Sequence, residues 1–465
     1  VGSLSDLVQP LATRAATASG DRRIDALVGG SALNPPAPLG YFFPSAALLA
    51  KATEDASLDG PLWAMNKGQQ AIFRAQMAKW MAVCPIRPQE VLAIHQANMA
   101  VYGITKGNSH VTTINGSPVQ MAFLKDEGPN QSGGFEMGTI LHEIGHALGL
   151  KHPFEGSPQL FGAENGFRYT VMAYDSWYDK NHQFVEPSTP QLYDVLALQY
   201  LYGRNTAYKS GNDVYKWSNG AVVFQCLWDG GGNDTIDATN QSSPVVINLE
   251  PGSFSAIGAA ISTEKFVEDP KGHSTQTQTT TVNGVTTVIK RTGNFINTFY
   301  RDNLSIAYGC QIENALGSNL GDKLVGNNAD NVLIGNAGDD QLSGIGGNDT
   351  MEGGLGVDRM TGGAGRDLFV YSKAGHSGVD SRRDRITDFV SGVDRLDLRR
   401  IDADTRKTGQ QRFRFVAGSP LAAAGQLTYN RSSGILAGEL DGKGRADFQI
   451  ELTSRPALLA TDLLL

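Results

Sequence analysis

Apolar residues fall at helical spacing in the first part of this chain and at a nine-residue period in the last, and that change of rhythm divides it. Between Asn66 and Val83, Ile72, Phe73, Met77, Trp80 and Met81 share one helical face, which predicts an amphipathic helix whose tryptophan and methionines serve as core. Leu39 to Phe43 (LGYFF) predicts a first strand, and short strands are expected at Glu90 to Ile94, His110 to Ile114 and Val119 to Leu124. Gly133-Gly134 then loosens the chain ahead of a helix carrying LHEIGHALGLKHP, Leu141 to Pro153. A further helix reads PQLYDVLALQYLYG from Pro190 to Gly203, with proline near its start and glycine at its end. Everything up to Pro38 is small, polar or proline-rich and reads as an irregular or extended lead-in.

After Gly203 glycines take over. Gly317, Gly326, Gly335, Gly344, Gly353 and Gly362 recur every nine residues, and five residues after each comes Asp322, Asn331, Asp340, Asp349, Asp358 or Asp367. A flexible linker has no fixed register, so this is a repeat, and it matches the nonapeptide of calcium-binding parallel β-rolls. The glycine-rich half of each copy makes a tight turn with inward carbonyls. The aspartate adds charge, and only a hard cation with oxygen ligands satisfies such a stack. Leu342, Met351, Met360 and Phe369 supply the buried residue of the intervening strand. Two nonapeptides make one turn, so aspartates eighteen apart, Asp340 with Asp358 and Asp349 with Asp367, are expected to flank common ions. Leu320 and Ala329 replace glycines in the first two copies and weaken the pattern there.

An isolated earlier copy, WDGGGNDTID, offers Asp229 and Asp234, with Asp213 upstream, and starts the roll near residue 210. From Glu264 to Asn303 runs a polar, threonine-rich excursion in which Asn283-Gly284 between β-branched residues predicts a type I′ hairpin. Beyond the repeats, DRITDFVSGVDRLDLR (Asp384 to Arg399) alternates acidic and apolar residues and is expected to cap the roll. The resulting organisation is α+β: a lead-in over residues 1–38, a domain over 39–209 that carries the LHEIGHALGLKHP helix, and a parallel β-roll or β-sandwich domain over 210–465.

The chemistry concentrates in the helix at Leu141. His142 and His146, four residues apart, share a helical face and can grip one metal ion. Gly149 stands where a left-handed residue ends the helix, so the chain can turn back and bring His152 to the same ion. Three imidazoles leave one tetrahedral position open, the mark of a catalytic zinc site, and Glu143 is placed to take a proton from water there. HExxH alone would occur by chance in roughly one chain in a hundred of this length. The extension HEIGHALGLKH, requiring Gly149 and His152, is the metzincin form. Twenty residues past His152, TVMAYDSWYD supplies Met172 for the turn beneath the metal and Tyr174 as an additional ligand or an oxyanion donor. His95 and His110 have no ligand spacing to a partner and read as ordinary residues.

Composition adds boundaries. The 465 residues suffice for two to four domains, and a net charge of −8 argues against nucleic acid as a partner. No apolar run approaches the roughly 20 residues that span a bilayer, so no stable membrane insertion is expected. Cys84, Cys226 and Cys310 lie far apart without CxxC spacing and read as small buried hydrophobes. Val1 to Gly20 carries no apolar secretory segment, and a start at Val1 fits a processed or trimmed form.

Taken together these residues resemble the serralysin group of metzincins, secreted bacterial metalloproteases with a calcium β-roll. The resemblance runs through RRIDALVGG, HEIGHALGLKHP, VMAYDSW, YDVLALQYLYG, WDGGGNDTID, SIAYGCQIENALG, the nonapeptides and TDFVSGVDRLDL. It implies one catalytic zinc, several structural calcium ions with Glu313 among their ligands, protein or peptide substrates, and a monomer released outside the cell through type I secretion machinery. A proteinaceous inhibitor is a further partner it suggests, and the terminal DLLL looks like that group's uncleaved export signal. The chain departs from the group in NGSPVQMAFLKDEGPNQSGGFEMG, where the substrate-aligning edge strand belongs, in its cysteines, and in a long Glu264 to Asn303 excursion. Two rival readings are a non-catalytic calcium-dependent surface or matrix-binding protein with a vestigial protease domain, and a processing protease of narrow specificity.

Overall fold

The computed structural model describes residues 13–33, 39–49, 62–104, 110–114, 117–125, 137–174, 177–178, 181, 183–268, 274–282 and 285–465. Gly133-Gly134, the loop before the zinc-motif helix and the Asn283-Gly284 turn lie outside them. The chain forms two compact units, Val1–Asn205 with Phe224–Cys226 and Ala259–Asn303, and Thr206–Val223 with Leu227–Gly258 and Leu304–Leu465.

In the first unit a sheet runs in the order Pro88–Glu90, Leu39–Phe42, Met99–Ile104, Ser117–Lys125, His110–Ile114. Along that order the pairs are parallel except the last, so His110–Ile114 is an antiparallel edge strand, and the short strand Leu62–Trp63 also pairs antiparallel with Met99–Ile104. The amphipathic helix is Lys67–Val83, started by a reciprocal capping box between Asn66 and Gln69, with Phe73, Met77 and Trp80 buried as expected. Trp80 also donates its indole N–H to the carbonyl of Leu141, 3.1 Å away, tying this helix to the zinc-motif helix Met137–Ala147. A third helix, Leu192–Tyr202, ends at Gly203 with φ 83°.

One expectation fails here. The strand expected at Glu90 to Ile94 stops at Glu90, and Ile94–Gln96 is a 3-10 turn. Leu92 is 94% exposed, so the apolar run that suggested a strand has no surface to pack against. The lead-in, read as irregular or extended, is extended over two short strands where it is described. Thr13–Ala15 pairs antiparallel with Ser31–Leu33, and between them Asp21 caps a short helical turn, Arg22–Asp25. Ala26 and Leu27 are fully buried, and the carbonyl of Leu27 accepts from the amide of Lys151 while Gly29 donates to the carbonyl of Gly149. The lead-in therefore backs the loop that delivers His152.

The second unit is built from two sheets whose repeat strands pair in parallel and alternate between them. One contains Val246–Asn248, Lys323–Val325, Gln341–Gly346, Arg359–Ala364, Asp384–Ile386 and Phe448–Leu452. The other contains Val214–Tyr215, Thr235–Asp237, Asn314–Leu316, Val332–Ala337, Thr350–Leu355, Leu368–Val370, Arg395–Asp397 and Leu463–Leu464. Within each sheet the repeats pair eighteen residues apart, as with Leu342 and Met360 or Leu333 and Met351. Leu324, Leu333, Leu342, Met351, Met360 and Phe369 are buried between the sheets, one per nonapeptide. Gly365 shows why the turns need glycine: φ is 145°, and a Cβ there would stand 1.8 Å from the carbonyl oxygen of Gly347, one turn below.

Asp384 to Arg399 does not cap the roll. Its two strands extend both sheets by another turn, and Leu463–Leu464 then adds to the second sheet beside Leu396–Asp397. Asp462 is buried and accepts hydrogen bonds from Ser391, Gly392 and Leu459, so the acidic residue of the last tetrapeptide has a structural role. The Glu264 to Asn303 excursion pairs Ser274–Val282 antiparallel with Val285–Ile306 down to Val282 opposite Val285, the register of a two-residue turn. All three cysteines are buried, and burial pushes the Cys84 thiol up to about 12.

One buried carboxylate links the parts of the first unit. Asp194, fully buried on the third helix, accepts from the Thr170 hydroxyl at 2.5 Å and from the amides of Val171 and Gln191 at 2.8 Å each. It pins the segment leading to Met172 to that helix. Asp194→Ala leaves three buried donors unsatisfied, and we expect a stability loss of about 3 kcal/mol, read as a lower urea midpoint for the first unit. An unchanged midpoint would show that the contacts are incidental.

Candidate active site and metal centres

Gly149 adopts φ 95°, its amide donates to the carbonyl of His146, and the amide of Leu150 reaches back to that of Gly145. This turn ends the zinc-motif helix and redirects the chain, so that His152 meets His142 and His146. The Nε2 atom of His152 lies 3.2 Å from the Nε2 of each of the other two. Each Nδ1 has its own acceptor: the carbonyl of Val171 for His142, that of Leu150 for His146, both at 2.8 Å, and the carboxylate of Glu155 at 2.7 Å for His152. These partners assign the ring proton to Nδ1 in all three, so three Nε2 lone pairs converge on one point. Burial holds His142 down to about 3 and His146 to about 4, which keeps both imidazoles neutral at ordinary pH.

Converging neutral nitrogens repel unless a cation takes their lone pairs, and a set of three imidazoles suits zinc. Glu143 is 4% exposed, its Oε2 has no hydrogen-bond partner, and burial pushes its carboxyl up to about 8. It is a buried acid poised to hold or release a proton close to neutrality. Met172 is buried beneath, and a Cβ on Gly145 would stand 2.5 Å from its sulfur, so the helix presents bare backbone to the thioether. Tyr174 is 69% exposed, stacks on His142, and brings its hydroxyl to 2.7 Å from Nε2 of His152. Phe154 lies flat on the outer face of His152 at 5.0 Å. Glu155 could have been found from its place three residues after His152. The carbonyl acceptors Val171 and Leu150 carry no sequence signal.

In the second unit the repeat aspartates form a ladder. Each offers Oδ1 to an amide one turn earlier: Asp340 to Asp322, Asp349 to Asn331, Asp358 to Asp340 and Asp367 to Asp349, at 2.7 to 3.0 Å. The Oδ2 atoms of Asp340, Asp349, Asp358 and Asp367 are buried without any partner. Burial, with the neighbouring carboxylates adding to it, pushes Asp340 up to about 8 and Asp349 to about 7, and burial pushes Asp358 to about 6. Such orphaned oxygens are positions for a hard cation.

Asp322 differs, because both its oxygens are taken by Val245 and Ser318. Asn331 is likewise satisfied, by Asn327 and the carbonyl of Glu313. Asp384 and Asp394 continue the ladder, accepting from the amides of Asp358 and Asp367, and were missed because an insertion breaks the nine-residue count. The aspartate followed two residues later by a buried apolar residue, as in Asp384 with Ile386 and Asp394 with Leu396, is the signal that persists. Further up the roll Asp213, Asp229 and Asp234 bring one carboxylate oxygen each within 4.8 Å of the others. Glu313 joins them by accepting the amide of Asp234 at 2.7 Å, and Oδ2 of Asp234 is again buried and unpartnered.

Comparisons with known proteins bear on both units. The family described as Peptidase M10 serralysin C terminal matches residues 196–267 and 295–465. The chain is 38% identical over 290 residues to a serralysin of Proteus mirabilis, covering 57% of this chain and 50% of that protein. It is 34% identical to the metalloprotease AprA of Pseudomonas entomophila, covering 70% and 63%, and 32% identical to a serralysin of Photorhabdus luminescens, covering 75% and 69%. The matched stretch thus spans about half of the first relative's length. With its zinc-motif helix, its ladder of buried aspartates and these likenesses, the chain belongs to the serralysin family.

Proposed function

We propose that the chain is a secreted zinc endopeptidase whose first unit is a metzincin catalytic domain and whose second is a calcium-stabilised β-roll. The observation that carries the reading is the convergence of three Nε2 lone pairs beside a buried, unpaired glutamate. His142, His146 and His152 would hold the zinc, which when bound polarises a scissile carbonyl and makes water acidic enough to attack near neutral pH. Glu143 accepts the proton from that water and later delivers it to the departing amine, a shuttle suited to a carboxyl raised to about 8. Tyr174, whose hydroxyl already reaches the meeting point of the three rings, donates its hydroxyl hydrogen to the oxyanion. An extended substrate adds by main-chain hydrogen bonds along the edge strand His110–Ile114, and not along Ser117–Lys125 in the stretch expected to supply that edge, because Ser117–Lys125 is paired on both sides. Val171, Leu150 and Glu155 keep each imidazole facing the metal.

Calcium would sit along the ladder at Asp340, Asp349, Asp358 and Asp367, and around Asp213, Asp229, Asp234 and Glu313. In a cell interior poor in calcium the same carboxylates oppose folding, which fits export of an unfolded chain through type I machinery and folding outside. Substrates are proteins or peptides, and a proteinaceous inhibitor would act at the same cleft.

Glu143→Ala is expected to keep one zinc per chain and to lower kcat/KM for a peptide substrate by at least about a thousandfold. Tyr174→Phe should lower kcat by about 10- to 100-fold with KM little changed. Zinc analysis alongside steady-state cleavage checks both, and a Glu143 variant that keeps more than a few per cent of activity at full zinc would refute the assignment.

The roll makes a pH prediction whose sign is set by raised, not lowered, carboxyl pKa values. An aspartate at about 6 to 8 in the folded, metal-free chain and near 3.8 when unfolded stabilises the fold below about pH 4. That contribution is lost as pH rises through 6 to 8. In chelator, amide hydrogen exchange over residues 317–370, corrected for intrinsic rates, should show more protection at pH 5 than at pH 8. Calcium should reverse the order, because it binds the ionised form. Equal protection at both pH values in chelator would contradict the account.

A further inference from the structure

The hairpin that brings Phe448–Leu452 into the roll is closed by a loop, ELDGKGRAD, that stands outside the nonapeptide series. Glu439 ends one strand, Asp447 precedes the next, and Asp441 lies between them. One carboxylate oxygen from each lies within 4.8 Å of the other two. Gly442 and Gly444, at φ 80° and 71°, curl the loop so that its own amides meet these carboxylates. Lys443 donates its amide to Oε1 of Glu439 at 2.9 Å and to Oδ1 of Asp441 at 3.0 Å, while Leu440 and Asp441 donate theirs to Oδ2 of Asp447.

The decisive atom is Oε2 of Glu439. Glu439 is 0% exposed, and that oxygen has no hydrogen-bond partner. A buried carboxylate with one oxygen on a backbone amide and the other unmatched is what Asp340, Asp349, Asp358 and Asp367 show along the ladder. The Arg406 guanidinium is near enough to feel the charge of Glu439 and Asp441, but no protein cation donates to that oxygen. The Lys443 ammonium pairs with Asp441 and is itself 63% exposed, and the Arg406 guanidinium, which lies over Gly442, pairs with Asp404.

We propose that this loop holds a further calcium ion, separate from the repeat ladder, bound by Glu439, Asp441 and Asp447. Three carboxylates on a nine-residue loop give a hard, oxygen-only donor set with excess negative charge. Calcium accepts irregular sets of six to eight oxygens at about 2.3–2.6 Å, whereas magnesium demands a compact octahedron. Loop carbonyls and water would complete the shell. The ion would clamp the two strands at the point where the hairpin feeds Phe448–Leu452 to its parallel partner Asp384–Ile386. This site does not depend on the peptidase reading, and its test involves no catalysis.

The experiment is a crystal structure of the full chain grown in calcium chloride, with anomalous differences collected at long wavelength. A calcium peak coordinated by Glu439, Asp441 and Asp447 is expected. A water molecule, the Lys443 ammonium or no density at that position overturns the proposal. Glu439→Gln keeps the shape and removes the charge. After equilibrium dialysis against micromolar calcium it should bind one calcium fewer per chain than the unmodified protein, with the ladder peaks retained. An equal count also overturns the proposal, and if the variant does not fold, the unmodified crystal alone decides.

Discussion

Unmatched acceptors inside the protein are the constraint on which this structure turns. Three imidazole nitrogens face one another in the first unit, with only the Tyr174 hydroxyl reaching that of His152, and a row of carboxylate oxygens is buried without donors in the second. Leaving one such group unsatisfied costs on the order of 1–3 kcal/mol, more when it is charged, against a total folding stability of about 5–15 kcal/mol. Each such group left unmatched would lower the stability of the metal-free chain, and a bound cation would offset that loss. The two kinds of site differ in the cation they suit: neutral nitrogens fit zinc, and ionised oxygens fit calcium.

The surrounding structure serves to hold those acceptors in place. In the first unit, Gly149 turns the chain, the lead-in grips the loop after it through Leu27 and Gly29, and Asp194 anchors the segment that supplies Val171 and Met172. Each ring is thereby fixed from behind, and the nitrogen left over points inward. In the roll one geometric unit does the same work at every step. The amide of one aspartate takes Oδ1 of the aspartate a turn later, and this orients Oδ2 into the turn. Repetition makes the arrangement one-dimensional, so each rung is supported only by its neighbours.

What was legible in the sequence is what local geometry imposes. His142 and His146 are readable because helical spacing alone brings them together, and Gly149 because only glycine suits the turn. The roll is readable because every turn repeats the same demand for glycine and aspartate. Asp384 and Asp394 escaped because the step from Asp358 to Asp384 is 26 residues and that from Asp367 to Asp394 is 27, instead of eighteen, which destroys the period while leaving the local pattern intact. The Glu90 to Ile94 stretch misled because an apolar run says nothing of whether a surface waits to cover it, and Leu92 has none. Backbone partners such as the carbonyls of Val171 and Leu150 were beyond reach, since any residue type can offer them. Asp194 shows the same limit at long range: an acidic residue on an apolar helix gives no hint of a turn that lies 23 residues away in sequence.

The central claim is that buried acceptors make this fold conditional on its cations. The most direct test is a calcium titration of the full chain, stripped by chelator at neutral pH and held at constant ionic strength, followed by far-ultraviolet circular dichroism. The account predicts a cooperative gain of β signal at micromolar to millimolar calcium that the same concentration of magnesium does not reproduce. A spectrum that is already complete without calcium, or one that magnesium completes equally well, would contradict it.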